Sequence, residues 1–232
     1  MHPSNHPIFY KMRRNFLLFV GLAVMLTACT TYYQVFQVGT VETFQQDSRR
    51  MVYEDAACRI TYDLWKDQGD LSFDFYNKTN QTLHLYLNEC FILKNKQVSD
   101  FLQLDIHDRH DRFEGSVVSI PSGGYRHFIC PAIQKEVFEF CHVNVCPSPM
   151  EIKVNNFSQD NTPLTFGVYL TYSLGQQSEK KMVKNNFYVN QVVNYHKRNF
   201  EQFHNDTVRV CDEEEVFQVQ DLKASNKFYI GY

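Results

Sequence analysis

Cys58-Arg59-Ile60-Thr61-Tyr62-Asp63-Leu64, then Leu71-Ser72-Phe73-Asp74-Phe75-Tyr76, then Leu83-His84-Leu85-Tyr86-Leu87 are the three runs whose reading decides the fold. In each, apolar side chains recur at every second position, a period that fits a strand with one buried face and no helix. Ile60, Tyr62 and Leu64 share one face, as do Leu71, Phe73 and Phe75, and Leu83, Leu85 and Leu87. Lys66-Asp67-Gln68-Gly69-Asp70 and Asn77-Lys78-Thr79-Asn80 supply turn residues between the runs, so a hairpin is expected across the first two.

Outward from this centre, strand-like segments continue at residues 90–93, 115–120, 125–130, 136–145, 152–155, 164–174 and 182–195. Pro121-Ser122-Gly123-Gly124 and Gly175-Gln176-Gln177-Ser178-Glu179 punctuate them, since proline presets φ and glycine admits positive φ. Only residues 100–112 and 195–204 suit short helices, and neither is long enough for the crossovers of a parallel sheet. No internal repeat or low-complexity block interrupts the pattern. The expectation is all-β: one antiparallel β-sandwich, immunoglobulin-like in broad architecture, over residues 51–232.

Composition agrees. The 232 residues are 44% apolar and 15% aromatic, with 20 Phe and 14 Tyr against 9 Gly, enough to build a core and biased toward strands. With 23 basic and 26 acidic side chains the formal charge is −3, so the positive excess of a nucleic-acid binder is missing. Seven cysteines point to an extracytoplasmic protein.

At the N-terminus, Lys11, Arg13 and Arg14 precede an apolar run from Phe16 to Leu26, then Thr27-Ala28-Cys29. Basic, apolar and small residues in that order make residues 1–28 a signal peptide, with Met12 an alternative start. At about 1.5 Å per residue the apolar run spans about half of a bilayer core of about 30 Å, too short for a comfortable transmembrane helix. Leu26-Thr27-Ala28-Cys29 resembles the bacterial lipobox, which implies cleavage before Cys29 and acylation of its thiol. One acyl chain holds marginally, at about 0.8 kcal/mol per buried methylene, whereas the two or three of a lipoprotein cysteine anchor durably. Removal of residues 1–28, with three basic and no acidic side chains, takes the net charge from −3 to −6. Residues 29–50 then read as lipidated cysteine and polar-aromatic tether. In lipoproteins of this kind Thr30, where an aspartate would retain the protein at the inner membrane, implies an outer-membrane destination.

The resemblance extends beyond the lipobox. Tyr62-Asp63-Leu64-Trp65, Phe73 through Asn80, Leu83 through Leu87, Phe91-Ile92-Leu93-Lys94-Asn95, Ser119 through Gly123 and Thr162 through Ser173 are similar to uncharacterised Bacteroidetes lipoproteins. That likeness implies an address and a sandwich-like fold, and no reaction. Surface-exported members carry acidic residues just after the cysteine; Thr30-Thr31-Tyr32-Tyr33-Gln34 has none, which favours the periplasmic face.

Besides Cys29 there are Cys58, Cys90, Cys130, Cys141, Cys146 and Cys211, an even set that permits up to three disulfides in fifteen connectivities. A native bridge contributes about 2–4 kcal/mol. Cys130 with Cys141 flanks a plausible hairpin and is weighted slightly above Cys141 with Cys146, which closes a short loop. A zinc site in Cys141-His142-Val143-Asn144-Val145-Cys146 is disfavoured, because alternation sends Cys141 and His142 to opposite faces and no second pair has ligand spacing.

The densest polar cluster is Asp105 to Arg112. On a helical turn His107 and His110 share a face, and Asp108 or Asp111 completes a nitrogen-oxygen set, with Glu114 a candidate base for a small metal-assisted hydrolase. Arg109 and Arg112 pair with the same carboxylates, so a solvated loop explains the cluster without a ligand. No Gly-x-Ser-x-Gly elbow, Walker or dinucleotide glycine pattern is present. Asp206-Thr207-Val208 resembles the short Bacteroidetes O-glycosylation motif, which makes Thr207 a candidate. The acidic run Asp212 to Glu215 reads as solvated surface. Outward-facing Tyr76, Tyr86, Tyr169 and Tyr188 offer a platform for a glycan or an envelope protein. The leading expectation is thus a non-enzymatic, lipid-anchored binding or scaffolding module with no cofactor and no nucleic-acid partner; the rival is the hydrolase on residues 105–114.

Overall fold

The computed structural model describes residues 31–46, 50–101, 116–139, 153–175, 179–202 and 222–232. Its elements in chain order are β1 (Tyr32–Thr40), β2 (Gln45–Gln46), β3 (Met51–Glu54), β4 (Cys58–Tyr62), β5 (Phe73–Asn77), β6 (Leu83–Tyr86), β7 (Phe91–Lys94), β8 (Gln97–Asp100), β9 (Val117–Ile120), β10 (Tyr125–Phe128), β11 (Lys153–Asn156), β12 (Thr165–Leu174), β13 (Lys181–His196), α1 (Lys197–Gln202) and β14 (Lys227–Gly231). The strands form two sheets, one of nine with the central order β14-β1-β13-β12-β6-β9, the other of five in the order β10-β5-β4-β3-β2. The ladders between named strands are all antiparallel. The chain is an all-β, two-sheet sandwich.

The alternation that announced the fold builds its interior. Ile60, Tyr62, Leu64, Phe73, Phe75, Leu83 and Leu85 are all at most 1% exposed and join one core with Phe36, Val168, Leu170 and Phe187 of the larger sheet. Rings interlock across the two layers: Tyr62 meets Phe187 edge-on at 5.3 Å and Phe75 meets Tyr172 at 6.2 Å. Tyr62 is fully buried, and its hydroxyl accepts from Asn185 Nδ2 at 2.9 Å, so its polar end is not orphaned. Each such ring removed from water contributes about 1.5–3 kcal/mol.

The segment expected as tether is largely a strand. β1 lies between β13 and β14, with Tyr32 opposite His196 and Thr40 opposite Phe187, so the folded unit begins at Tyr32 rather than at residue 51. It lacks a clean two-residue pattern because both its faces are covered. Phe36 and Val38 face the main core, whereas Val35 joins a second cluster with Val193, Tyr195, Phe200 and Leu222, against which Tyr33, Trp65 and Tyr229 pack. Gln34, on the core side, is also fully buried. Its amide donates to Asn194 Oδ1 (2.9 Å) and Phe138 O (3.1 Å) and accepts from Phe138 N–H (2.8 Å), which satisfies both ends.

A bulge keeps β13 in register. Gln37 pairs with Gln191 but Val38 with Val189, leaving Asn190 extra. Before the bulge Val183, Phe187 and Val189 point to the main core; beyond it Val192 does, while Val193 and Tyr195 turn to the second cluster.

Other expectations change in detail. β4 and β5 pair as foreseen, with Cys58 opposite Asn77 and Tyr62 opposite Phe73. Their connection is no tight turn, however: residues 63–72 leave the smaller sheet and run along β14. Gln68 N–H donates to Tyr229 O (2.6 Å), Leu64 N–H to Ser225 O (2.9 Å), and Gly231 N–H to Asp67 Oδ1 (3.2 Å). This covers an edge that would otherwise present unpaired backbone groups. Gln68 and Gly69 turn the loop with φ of 65° and 76°. The Pro121–Gly124 turn holds Gly123 at φ 66° and carries the chain from β9 in one sheet to β10 in the other. Of the strand expected over residues 136–145, the described part, 136–139, is irregular, since Phe138 spends its backbone groups on Gln34. Of the helix expected over residues 100–112 only the first two residues are described, Asp100 as the end of β8 and Phe101 in a 3-10 turn; residues 102–112 lie outside the described residues. The second expected helix is α1, shorter than residues 195–204 because Tyr195 and His196 belong to β13.

Candidate functional site

Strand alternation that buries Tyr62 and Phe73 must turn Thr61, Asp63, Ser72 and Asp74 the other way. Register then brings these residues together from distant parts of the sequence: Thr61 sits opposite Asp74, and Asp74 opposite His127 of β10. At the end of this outer face the wandering 63–72 loop forms a wall, and between them opens a cleft of about 340 Å³ lined by Thr61, Asp63, Trp65, Ser72, Asp74 and His127.

His127 Nδ1 lies 2.8 Å from Asp74 Oδ1, with both side chains about half exposed. Lys66 Nζ reaches Asp70 Oδ2 at 3.0 Å, and Ser72 N–H donates to Asp70 Oδ1 at 2.8 Å. Burial raises the Asp70 carboxyl's pKa, but the hydrogen bonds from Ser72 and Lys66 outweigh it and hold the carboxyl below its ordinary value, so it is an anion at neutral pH. Trp65, the sole tryptophan of the chain, packs against Tyr229, 5.1 Å between centroids, and lies parallel to Phe200 at 6.3 Å. The cleft therefore combines a braced indole with carboxylates and an imidazole in a solvent-reached setting.

The same face continues past the cleft. Tyr125, 69% exposed, stands opposite Tyr76, and the Arg59 guanidinium sits 5.7 Å from the centre of the Tyr76 ring. Arg59 in turn pairs with Glu54, whose carboxylate also receives Lys78.

The four tyrosines expected to form one platform do not converge. Tyr76 belongs to the smaller sheet, and the other three to the larger. Tyr169 stacks on Phe91 at 4.7 Å and donates to Asn186 Oδ1; Tyr86 shares a hydrogen bond with Ser173 beneath Lys180. Tyr188 covers Gly39, where a Cβ would lie 2.8 Å from its ring, and borders a separate cleft of about 250 Å³ with Lys96, Phe166 and Phe187.

Of the expected disulfide candidates, Cys58, Cys90 and Cys130 are free thiols. Burial pushes all three thiols up, Cys90 to about 12, and Thr171 N–H donates to the Cys90 sulfur at 3.3 Å. Cys58 and Cys90 are buried and Cys130 is half-buried, and a raised thiol pKa disfavours the nucleophilic thiolate at all three. Cys29, Cys141, Cys146, Cys211, Thr207, and the cluster of His107, Asp108, His110, Asp111 and Glu114 lie outside the described residues. Among the described residues, no group of three His, Cys, Asp or Glu is placed to hold a metal ion, and no helix is long and apolar enough to cross a membrane.

Sequence reasoning missed Trp65 and His127 as site residues. The outward phase of Asp63 and Asp74 was available in the alternation, but the loop's excursion to β14 and the β5–β10 register are long-range facts with no local signature. Comparison of the chain with protein-family models, with curated proteins and with solved structures finds no match.

Proposed function

We propose that this chain is a lipid-anchored envelope protein, held at the periplasmic face of the outer membrane through Cys29, whose sandwich binds a glycan without chemically altering it. The anchor rests on the basic, apolar, small-residue order of residues 11–28 before Cys29. The binding role rests on one observation, the cleft beside Trp65. A sugar ring offers C–H groups to an aromatic face and hydroxyls to charged acceptors, and this cleft sets one indole beside Asp63, Asp74 and His127.

Trp65 is its own reporter, because no other tryptophan contributes emission. Titration of the protein with oligosaccharide fragments of envelope glycans is expected to change Trp65 fluorescence saturably. Asp74→Asn and His127→Ala are each expected to weaken binding about tenfold, the size of one lost charge-assisted hydrogen bond. Flat titrations across neutral and acidic fragments, or affinities unmoved by both substitutions, would remove the glycan reading. Labelled palmitate followed into wild type but not into Cys29→Ala checks the anchor separately.

A further inference from the structure

The start of β1 leaves almost no slack behind the anchoring cysteine. From Cys29 to Tyr32 there are three residue steps, which span at most about 11 Å when fully extended. Tyr32 is fixed on arrival: its N–H donates to Tyr232 O at 2.9 Å, the Tyr232 N–H donates back at 3.0 Å, and the two rings stack at 5.9 Å. His196 meets Tyr32 edge-on at 5.6 Å, and Lys197 and Arg198 follow it, both exposed. Asp67, which reaches the same end of the sheet, accepts from Gly231 N–H.

We infer that this end of the larger sheet, formed by Tyr32, His196, Lys197, Arg198 and Tyr232, docks directly on the headgroup layer of the membrane and stands the sandwich upright on it. The inference rests on the acylation of Cys29 proposed above and adds the orientation. Two independent features fit that partner. The reach is close to the Debye length of about 10 Å at 0.1 M salt, so with the acyl chains inserted this end stays within or near the headgroup field. The composition is that of an interfacial belt, tyrosines whose rings suit the headgroup depth beside cations that suit anionic phosphates. The opposite end reaches the membrane only if the sandwich lies flat on it. Met182, 46% exposed, lies fourteen residues up β13 from His196, about 45 Å along the strand.

The test uses full-length acylated protein in phosphatidylethanolamine–phosphatidylglycerol vesicles carrying a spin-labelled headgroup lipid. In a Trp65→Phe background, a single tryptophan is placed by Tyr232→Trp or by Met182→Trp, with Arg198→Trp as an exposed substitute if the stacked tyrosine pair does not tolerate change. Intact mass of the same samples reports the acyl chains. With acylation present, loss of emission at 232 or 198 and none at 182 is the expected result. Acylated protein quenched equally at both ends, or more at 182, overturns the upright orientation and leaves the anchor standing. Absence of acyl mass overturns the anchor and the orientation with it.

Discussion

Glu54 receives Arg59 Nε at 3.0 Å and Lys78 Nζ at 2.7 Å, while Lys78 also donates to Asp55 O. Hydrogen bonds from Arg59 and then Lys78 hold the Glu54 carboxyl at about 2, against an ordinary value of 4.5. Because the folded value is the lower one, whatever stability the cluster contributes is complete above the unfolded value and is lost as pH falls from there through about 2. Carbon-detected NMR titration is expected to place the Glu54 midpoint near 2 in wild type and to move it upward in Arg59→Ala. An unshifted midpoint in the variant would show that Arg59 is not the cause. Half of this is legible locally: Arg59 follows as an outward residue of an alternating strand, but its partner across the β3–β4 ladder and the reach of Lys78 from the β5–β6 turn do not.

The loop over residues 63–72 shows how an element acquires a second task. Lys66 to Asp70 have turn chemistry, and a turn is what they make, but the backbone groups beside it pair with β14. Gly69 is where this succeeds or fails. Its φ of 76° favours glycine, and an added Cβ would lie 2.9 Å from Ile133 and 3.0 Å from Phe228. At Gly175 φ is similar, 73°, but the nearest atom to an added Cβ is 3.7 Å away. Gly175→Ala should thus cost only the backbone strain, about 1 kcal/mol, and Gly69→Ala that plus a steric term, about 2–4 kcal/mol in all. Urea unfolding of the two variants checks the difference; equal midpoints would mean that the loop yields at no cost. Loss of the loop's seat should also blue- or red-shift Trp65, which the same loop carries.

For the whole molecule, what could be read from sequence depended on how many sides of a strand are covered. Ile60, Tyr62, Phe73, Phe75, Leu83 and Leu85 each belong to strands with one buried face, so their period announced both strand and core. Tyr32 to Thr40 is wrapped on both faces, with Gln34 buried among Phe36 and Val38, and its pattern reads as polar-aromatic noise. In β14 the inward Phe228 and Ile230 flank Tyr229, which packs on the second cluster, so three apolar residues in a row hide the period. The candidate site was half legible: outward Asp63 and Asp74 follow from phase, whereas Trp65 and His127 join them only through register. A direct consequence concerns truncation. A chain starting at residue 51 lacks the strand between β13 and β14 and is expected not to fold, giving no cooperative thermal transition, whereas one starting at Thr31 retains it. A cooperative transition in the shorter chain would show that β1 is dispensable.

β1 enters the sheet at the end nearest Cys29, and its ladders to β13 and β14 run along both its flanks. Antiparallel bonds stand perpendicular to the strand, so tension drawn along the chain from residue 31 is taken in shear by both ladders at once instead of unzipping them bond by bond. A pull from the proposed acyl anchor would therefore load both ladders of β1 together.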